Sequence, residues 1–418
     1  MNKTTPSRYS VDNASILYLS LMRKSHANSY RFTMTLKEPI CHKTLQLAVD
    51  RVYRRFPTVI AGFRPGFFRY FQVPAAQPPQ VQPDPGILLT MTEAEIRNCP
   101  FRILYNHCDI SIEAFHALTD GYGAIACITT LVAEYLRLKN SAEIPVASTL
   151  LDLKRAPACD EAADSYLDYQ EGKPLHLPSR YAYQLPGPAP TWNGIRTSTF
   201  TADTRKLLET ARKQGVSVTT LISAVMAISV MEIQRRHETK SIKPVRIMVP
   251  VDLRRQFPSK TLRNFILYAL PTMEPQETGI PLPELAQRFS RQMRTQTERT
   301  LLASIMAYNV RTQENWLFRA IPLRIKTVAM RIAYRFFGES NSSVTVTNLG
   351  NITLPEEMRQ HVEDFCVYLT PRTRSPYNCS VIAYGEKLHV VVSRYGAEPE
   401  LENVFFRNLS RVLQGAEL

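Results

Sequence analysis

The segment Phe115-His116-Ala117-Leu118-Thr119-Asp120-Gly121 gathers an imidazole, a carboxylate and a glycine into one short loop. Of the eight histidines, His116 alone has a carboxylate four residues on and a glycine directly after it. Imidazole, with an unperturbed pKa of about 6.5, is the side chain best suited to take a proton from an alcohol or amine at neutral pH. Asp120 can order the loop through a buried ion pair. Gly121, lacking a side chain, lets a narrow ligand pass close to the backbone. By position alone a lone histidine after a strand is more often an ordinary core or surface residue. The spacing to Asp120-Gly121 sets this one apart.

The loop needs elements to hold it, and the hydrophobic periodicity supplies them. Residues 110–115 read as an apolar strand, and 121–138 as a helix with Ile125, Ile128, Leu131, Val132 and Tyr135 on one face. Earlier, 30–36 alternates as a half-buried strand. Residues 42–56 carry Leu45, Leu47, Ala48 and Val52 at helical spacing and stop at Pro57. Strands are expected around 67–73 and 101–106. Between 172 and 191, five prolines and two glycines in twenty residues read as an inter-domain linker. The second half expects strands at 195–200, 245–249, 343–346, 380–384 and 388–393, with helices at 202–214, 218–236 and 400–413. The alternation of strands and helices in both halves predicts an α/β (α+β) protein of two sandwich domains, 1–171 and 192–418, with a ligand cleft between them.

Composition narrows the partners. With 418 residues and 44% hydrophobic side chains, the chain can bury two cores, and 21% charged residues argues against disorder. Lys and Arg number 51 against 37 Asp and Glu, a formal charge of +14 that favours an anionic partner. The basic residues are spread out, with no zinc-finger spacing and no aromatic RNA-binding signature, so nucleic acid is not expected. Seven cysteines form no C-x-x-C pair and read as free buried thiols in a reducing compartment. The first residues lack the apolar core of a signal peptide, and 218–233 is too short and too rich in Thr and Ser for a bilayer core of ~30 Å. A cytoplasmic location is expected. No H-E-x-x-H or tight His/Cys set calls for a metal.

H-x-x-x-D-G after a strand, in a chain of this length with a central linker, resembles the CoA-dependent acyltransferase superfamily. That superfamily includes chloramphenicol acetyltransferase, plant BAHD enzymes, wax ester synthases, alcohol acetyltransferases and peptide-synthetase condensation domains. Further segments extend the resemblance over nearly the whole chain. Arg55-Phe56-Pro57 is similar to the sequence that closes the first long helix. Pro250-Val251-Asp252-Leu253-Arg254 looks like the end of a second-domain strand. Asn264-Phe265 resembles the Gly-Asn segment that follows, with Arg263 where glycine is usual. Thr347-Asn348-Leu349-Gly350 resembles the S-N-x-G of the alcohol acetyltransferase and wax ester synthase branches.

The resemblance implies two chloramphenicol acetyltransferase-like domains with an active-site tunnel between them. His116 would deprotonate the acceptor midway along it. Asp120 would point away and pair with Arg254, Gly121 would line the tunnel, and Thr347 or Asn348 would line it or polarise the thioester carbonyl. Acyl-CoA is the implied co-substrate, with no permanently bound cofactor, and the acceptor is a small molecule or a lipid. Phe115 stands where condensation domains carry a first histidine, and the D-F-G-W-G of plant enzymes is absent. Two other readings stay open: a condensation-like enzyme that takes its acyl group from an acyl carrier protein, and a non-catalytic binding relative.

One segment falls outside this pattern. Residues 321–337 place Arg324, Arg331 and Arg335 on one helical face, with Ile325, Val328, Ile332 and Phe336 beside it. Such a helix either packs its apolar face on the core and leaves the arginines in water, which is the expectation here, or lies on an anionic membrane.

Overall fold

The computed structural model describes residues 6–23, 28–147, 149–176, 180–188, 195–237, 242–334, 338–372 and 375–416. Two mixed sheets form its frame, each faced by long helices. In the first sheet the strands lie in the order Val362–Leu369, Ser29–Leu36, Asp109–Phe115, Phe101–Asn106 and Val81–Pro83. Alternation sets the inner face of Ser29–Leu36, where Tyr30, Phe32, Met34 and Leu36 are all buried. Arg31 and Thr33 on its other face are buried too, and both are paired. Arg31 meets Glu113 at 2.7 Å and Asp84 at 2.9 Å, and Thr33 bonds Ser111 at 2.8 Å.

The helices His42–Val52 and Gly121–Asn140 pack together on this sheet. In the first, Leu45, Ala48, Val49 and Val52 are buried, whereas Leu47, expected inside, is 55% exposed. A 3.6-residue period puts 45, 48, 49 and 52 on one side and 47 on the other. The Gly121–Asn140 helix buries 14 of its 20 residues, so it is a core helix rather than one with a single apolar face. The strand expected around 67–73 is Tyr70–Pro74, because Gly66 N bonds Arg69 O at 2.8 Å and turns the chain there.

The second sheet runs Ile266–Ala269, Val245–Asp252, Val344–Asn351, Tyr377–Tyr384, Lys387–Tyr395 and Ile195–Asp203. Its centre is parallel: Val344–Asn351 pairs in parallel with both neighbours. Against it lies Val218–His237, which extends four residues past the expected apolar stretch. By length and composition it could cross a membrane, but 72% of its apolar window is buried in the second core. Tyr183 and Leu185, from the Pro-rich stretch, are buried in that core as well. Residues 177–179 and 189–191 of that stretch lie outside the described residues.

Successive strands then split between the sheets. Val362–Leu369 pairs antiparallel with Ser29–Leu36, while the next strand, Tyr377–Tyr384, belongs to the second sheet. Ser380 Oγ donates to Val367 O at 2.7 Å and ties the two together. All seven cysteines are free thiols, but only Cys127 and Cys379 are fully buried; Cys41 and Cys159 are exposed, because both sit outside the sheets and long helices.

Candidate functional site

His116 follows the last residue of the Asp109–Phe115 strand, at the start of a tight turn. Its backbone N–H donates to Asn28 O at 2.7 Å, and Leu118 N–H closes the turn on Phe115 O at 2.9 Å. Phe115, Ala117 and Leu118 are fully buried and anchor the loop on both sides of the imidazole. Asp120 then starts the next helix. Its Oδ1 accepts from Tyr122 N at 3.1 Å and Gly123 N at 3.4 Å, satisfying backbone donors that the first turn leaves free. The strand and the capped helix thus hold both ends of a loop only a few residues long.

A partner distant in sequence orients the imidazole. His116 Nδ1 lies 3.2 Å from Asn264 Oδ1, and Asn264 Nδ2 donates to the His116 carbonyl at 3.0 Å. Because the amide nitrogen faces a carbonyl, the amide oxygen must face the ring, and Nδ1 must carry the proton. Nε2 is left with its lone pair, the form a general base requires. The Tyr18 ring stacks on the imidazole at 4.5 Å between centroids, and Tyr30 meets it edge-on at 5.1 Å. Burial pushes the imidazolium down from its ordinary range, while a hydrogen bond to the residue's own backbone, then Asp120 and the Asn264 bond, act in the other direction. The ring is therefore neutral at physiological pH.

Asp120 faces away from the ring towards the second half of the chain. Arg254 Nη1 donates to Asp120 Oδ2 at 2.8 Å, with both side chains buried. The same oxygen accepts Phe265 N–H at 2.9 Å. Arg254 is further held by Asp252 at 3.0 Å and by the carbonyls of Thr261 and Arg263. Burial opposes the charge on Arg254, but Asp120 and Asp252 outweigh it and raise its pKa. Gly121 makes room for a side chain rather than for a ligand alone: a Cβ there would lie 2.6 Å from Leu349 Cδ2. Leu349 is thereby brought against the loop. Asn348, however, is committed elsewhere, its Nδ2 donating to Thr219 Oγ1 at 2.9 Å and its Oδ1 accepting Gly350 N–H at 2.8 Å. Thr347 lies half-buried on the same strand.

The sequence reading assigned no role to three residues of this site. Asn264 was noted only as part of a segment. Tyr18 belongs to the helix Asn13–Leu21, which the periodicity did not signal. Arg263, fully buried, donates to Ser10 O at 2.6 Å and to Ala162 O at 3.4 Å, and lies 3.5 Å from Asp12. It pins the segment that carries Ser15 and Tyr18 over His116. The unusual arginine at a position where glycine is common was the available signal. A separate cavity of about 520 Å³ opens beside Arg254, lined by Asp160, Ser165, Asp168 and Lys260, and His116 does not line it. Among the described residues no cluster of His, Cys, Asp and Glu could hold a metal ion.

No protein-family model matches the sequence, and no curated protein is similar to it by sequence. Solved structures are similar in fold. TRI3 trichothecene 15-O-acetyltransferase from Fusarium sporotrichioides superposes with a TM-score of 0.61 at 10% identity, over 100% of this chain and 97% of that one. TRI101 of F. sporotrichioides, complexed with coenzyme A and T-2, gives 0.59 at 11% identity, over 98% and 99%. The first condensation domain of the calcium-dependent antibiotic synthetase, in complex with a substrate analogue, gives 0.59 at 15% identity, over 99% and 97%. The fold is thus the two-domain α/β fold shared by CoA-dependent acyltransferases and condensation domains, and the likeness spans nearly the whole chain.

Proposed function

We propose that this protein transfers an acyl group from acyl-CoA to a hydroxyl or amine acceptor, with His116 as the general base. The observation that carries the reading is the doubly bonded Asn264 amide, which fixes His116 in the tautomer with Nε2 free. His116 Nε2 takes the acceptor's proton as its oxygen or nitrogen attacks the thioester carbonyl. The new acyl bond forms and the C–S bond breaks through a tetrahedral oxyanion. The imidazolium then returns the proton to the departing thiolate. The neutral ring suits both steps, since a base must start unprotonated and its conjugate acid must give the proton back. In this reading Asp120 and Arg254 position the loop across the two halves, 1–171 and 192–418, and Gly121, Thr347 and Asn348 shape the tunnel wall.

Coenzyme A is favoured as the carrier because similar folds are known in complex with coenzyme A and with C8-CoA, and the net charge of +14 suits its phosphates. A carrier-protein thioester is the competing donor, since the same fold also serves a condensation domain. Phe115 speaks against that donor. It stands where a first histidine would be, and it is a fully buried core residue packed edge-on to Phe63 at 6.0 Å. The test is thiol release from short to long acyl-CoAs with pooled alcohols and amines, run on wild type and His116→Ala. Acceptor-dependent release that falls about 10²-fold or more in the variant supports the reading. Equal release from both proteins removes His116 as the base.

A further inference from the structure

The helix Leu323–Ala333 is built inside out. Its inward residues include Leu323 and Lys326, each 8% exposed, while Ile325, Val328 and Ile332 are 60%, 54% and 55% exposed. This reverses the expectation that the apolar face would pack on the core. Arg331 turns back instead, donating to Ser20 O and Met22 O at 2.7 Å each. Arg335 and Phe336 lie outside the described residues. A helix this apolar gains from burial only if something apolar covers its outer side.

More apolar surface collects around it. Leu323 N–H donates to Phe67 O at 2.8 Å and Lys326 Nζ to Phe68 O at 3.1 Å. These bonds bring the turn carrying Phe67, 71% exposed, and Phe68, 46% exposed, up to the helix. The preceding helix, Trp316–Ala320, adds Trp316 and Leu317 at 73% and 57%. Among the described residues, seven of the 14 exposed large hydrophobic side chains thus belong to two segments that touch. Scattered exposed residues need no explanation, but this concentration does.

The charge around the patch names the occupant. Arg64 and Arg69 flank the phenylalanine turn and are exposed, as are Arg319 and Arg324. Between 299 and 337 the sequence holds one acidic residue, Glu314, and it is paired with Arg319 at 2.9 Å. We propose that this face docks on an anionic lipid surface. Ile325, Val328, Ile332 and the two phenylalanines enter the acyl boundary, Trp316 sits at the headgroup level, and the arginines meet lipid phosphates. A second copy is the poorer fit, because each copy brings a net +14 against the other's arginines. The face also borders the site. Asn13–Leu21 carries Tyr18 against His116 and, two residues on, Ser20 against Met330 at 3.4 Å and Arg331 at 2.7 Å. One helix separates the docking face from the imidazole.

The test is flotation of the full chain with phosphatidylcholine vesicles, with and without phosphatidylglycerol. It compares wild type, the triple variant Ile325→Ser, Val328→Ser, Ile332→Ser, and Arg324→Gln. All four positions are exposed, so the variants keep the fold, checked by circular dichroism. Wild type is expected to float with the anionic vesicles and not with phosphatidylcholine alone. The triple variant should lose about tenfold or more in partitioning, and Arg324→Gln about fivefold. Equal flotation of wild type and the triple variant overturns the proposal, as does no flotation at low salt. A wild-type dimer that the triple variant dissolves, seen by sedimentation, overturns it in favour of self-association. None of these readouts depends on acyl transfer, so docking and the acyltransferase reading can fail separately.

Discussion

The candidate chemistry depends on one proton and one lone pair on the His116 ring. Because burial holds its pKa below the ordinary 6.5, the ring is unprotonated across the neutral range. The rate should therefore be flat at neutral pH and fall on acidification, through an apparent pKa below 6.5. Asn264 sharpens this into a signed test. Its Oδ1 accepts from Nδ1–H and so favours the cation. Asn264→Ala should lower the plateau by about 10²-fold through loss of the tautomer lock and move the acid limb to lower pH. Asn264→Asp puts a carboxylate beside Nδ1 and should move the limb to higher pH. A merely structural asparagine would lower the plateau in both variants and leave the limb in place in kcat/KM profiles. His116, Asp120 and Gly121 were legible in the sequence because their spacing is local. Asn264 was not, since it stands 148 residues away and only the fold brings its amide to the ring.

At the scale of elements, regular periods were easy to read and their meeting points were not. Strands such as 101–106 and the last helix, Glu400–Leu413, follow directly from alternation and helical spacing. Val362–Leu369 was missed because VEDFCVYL mixes acidic and apolar residues, as befits an edge strand paired on one side only, with a register shift between Val362 and Asp364. The capped helix Gly121–Asn140 shows how such a meeting point constrains sequence. Thr119 Oγ1 donates to Leu262 O at 2.5 Å, and Gly123 lies against both. A Cβ at Gly123 would overlap Thr119 Oγ1 and the Leu262 carbonyl, and a backbone carbonyl cannot swing aside. Helix propensity alone would make Gly123→Ala stabilising by about 1 kcal/mol. Overpacking against backbone costs about 1–3 kcal/mol and should win. The expected result is a lowered denaturation midpoint with an unchanged m-value. A rise would mean that Leu262 moves freely.

Across the whole molecule, the two halves are joined where the reactive loop begins. The strand Val362–Leu369 completes the first sheet from the far end of the chain, a pairing of Tyr30 with Leu369 and of Leu36 with Val362 that no local pattern encodes. The second join is charged. Asp120 gives one oxygen to its own helix and the other to Arg254 and Phe265 N–H, so a single carboxylate links helix capping to domain contact. Exposed ion pairs contribute little, but here both side chains are at most 7% exposed and further hydrogen bonds complete the arginine's shell. Removing one partner leaves the other charge buried. Asp120→Ala should therefore destabilise the protein by about 3–5 kcal/mol, with little dependence on salt. Asp120→Asn keeps the capping oxygen and isolates the charge. Combined with Arg254→Met in a double-mutant cycle, it should show a coupling of about 1–3 kcal/mol. If Asp120 and Arg254 act by registering the halves, their single variants lose acyl transfer together, while the acid limb set by His116 moves little. Additive, uncoupled losses in denaturant titrations would mean that the halves are held by their apolar contacts, with the ion pair a passenger between them.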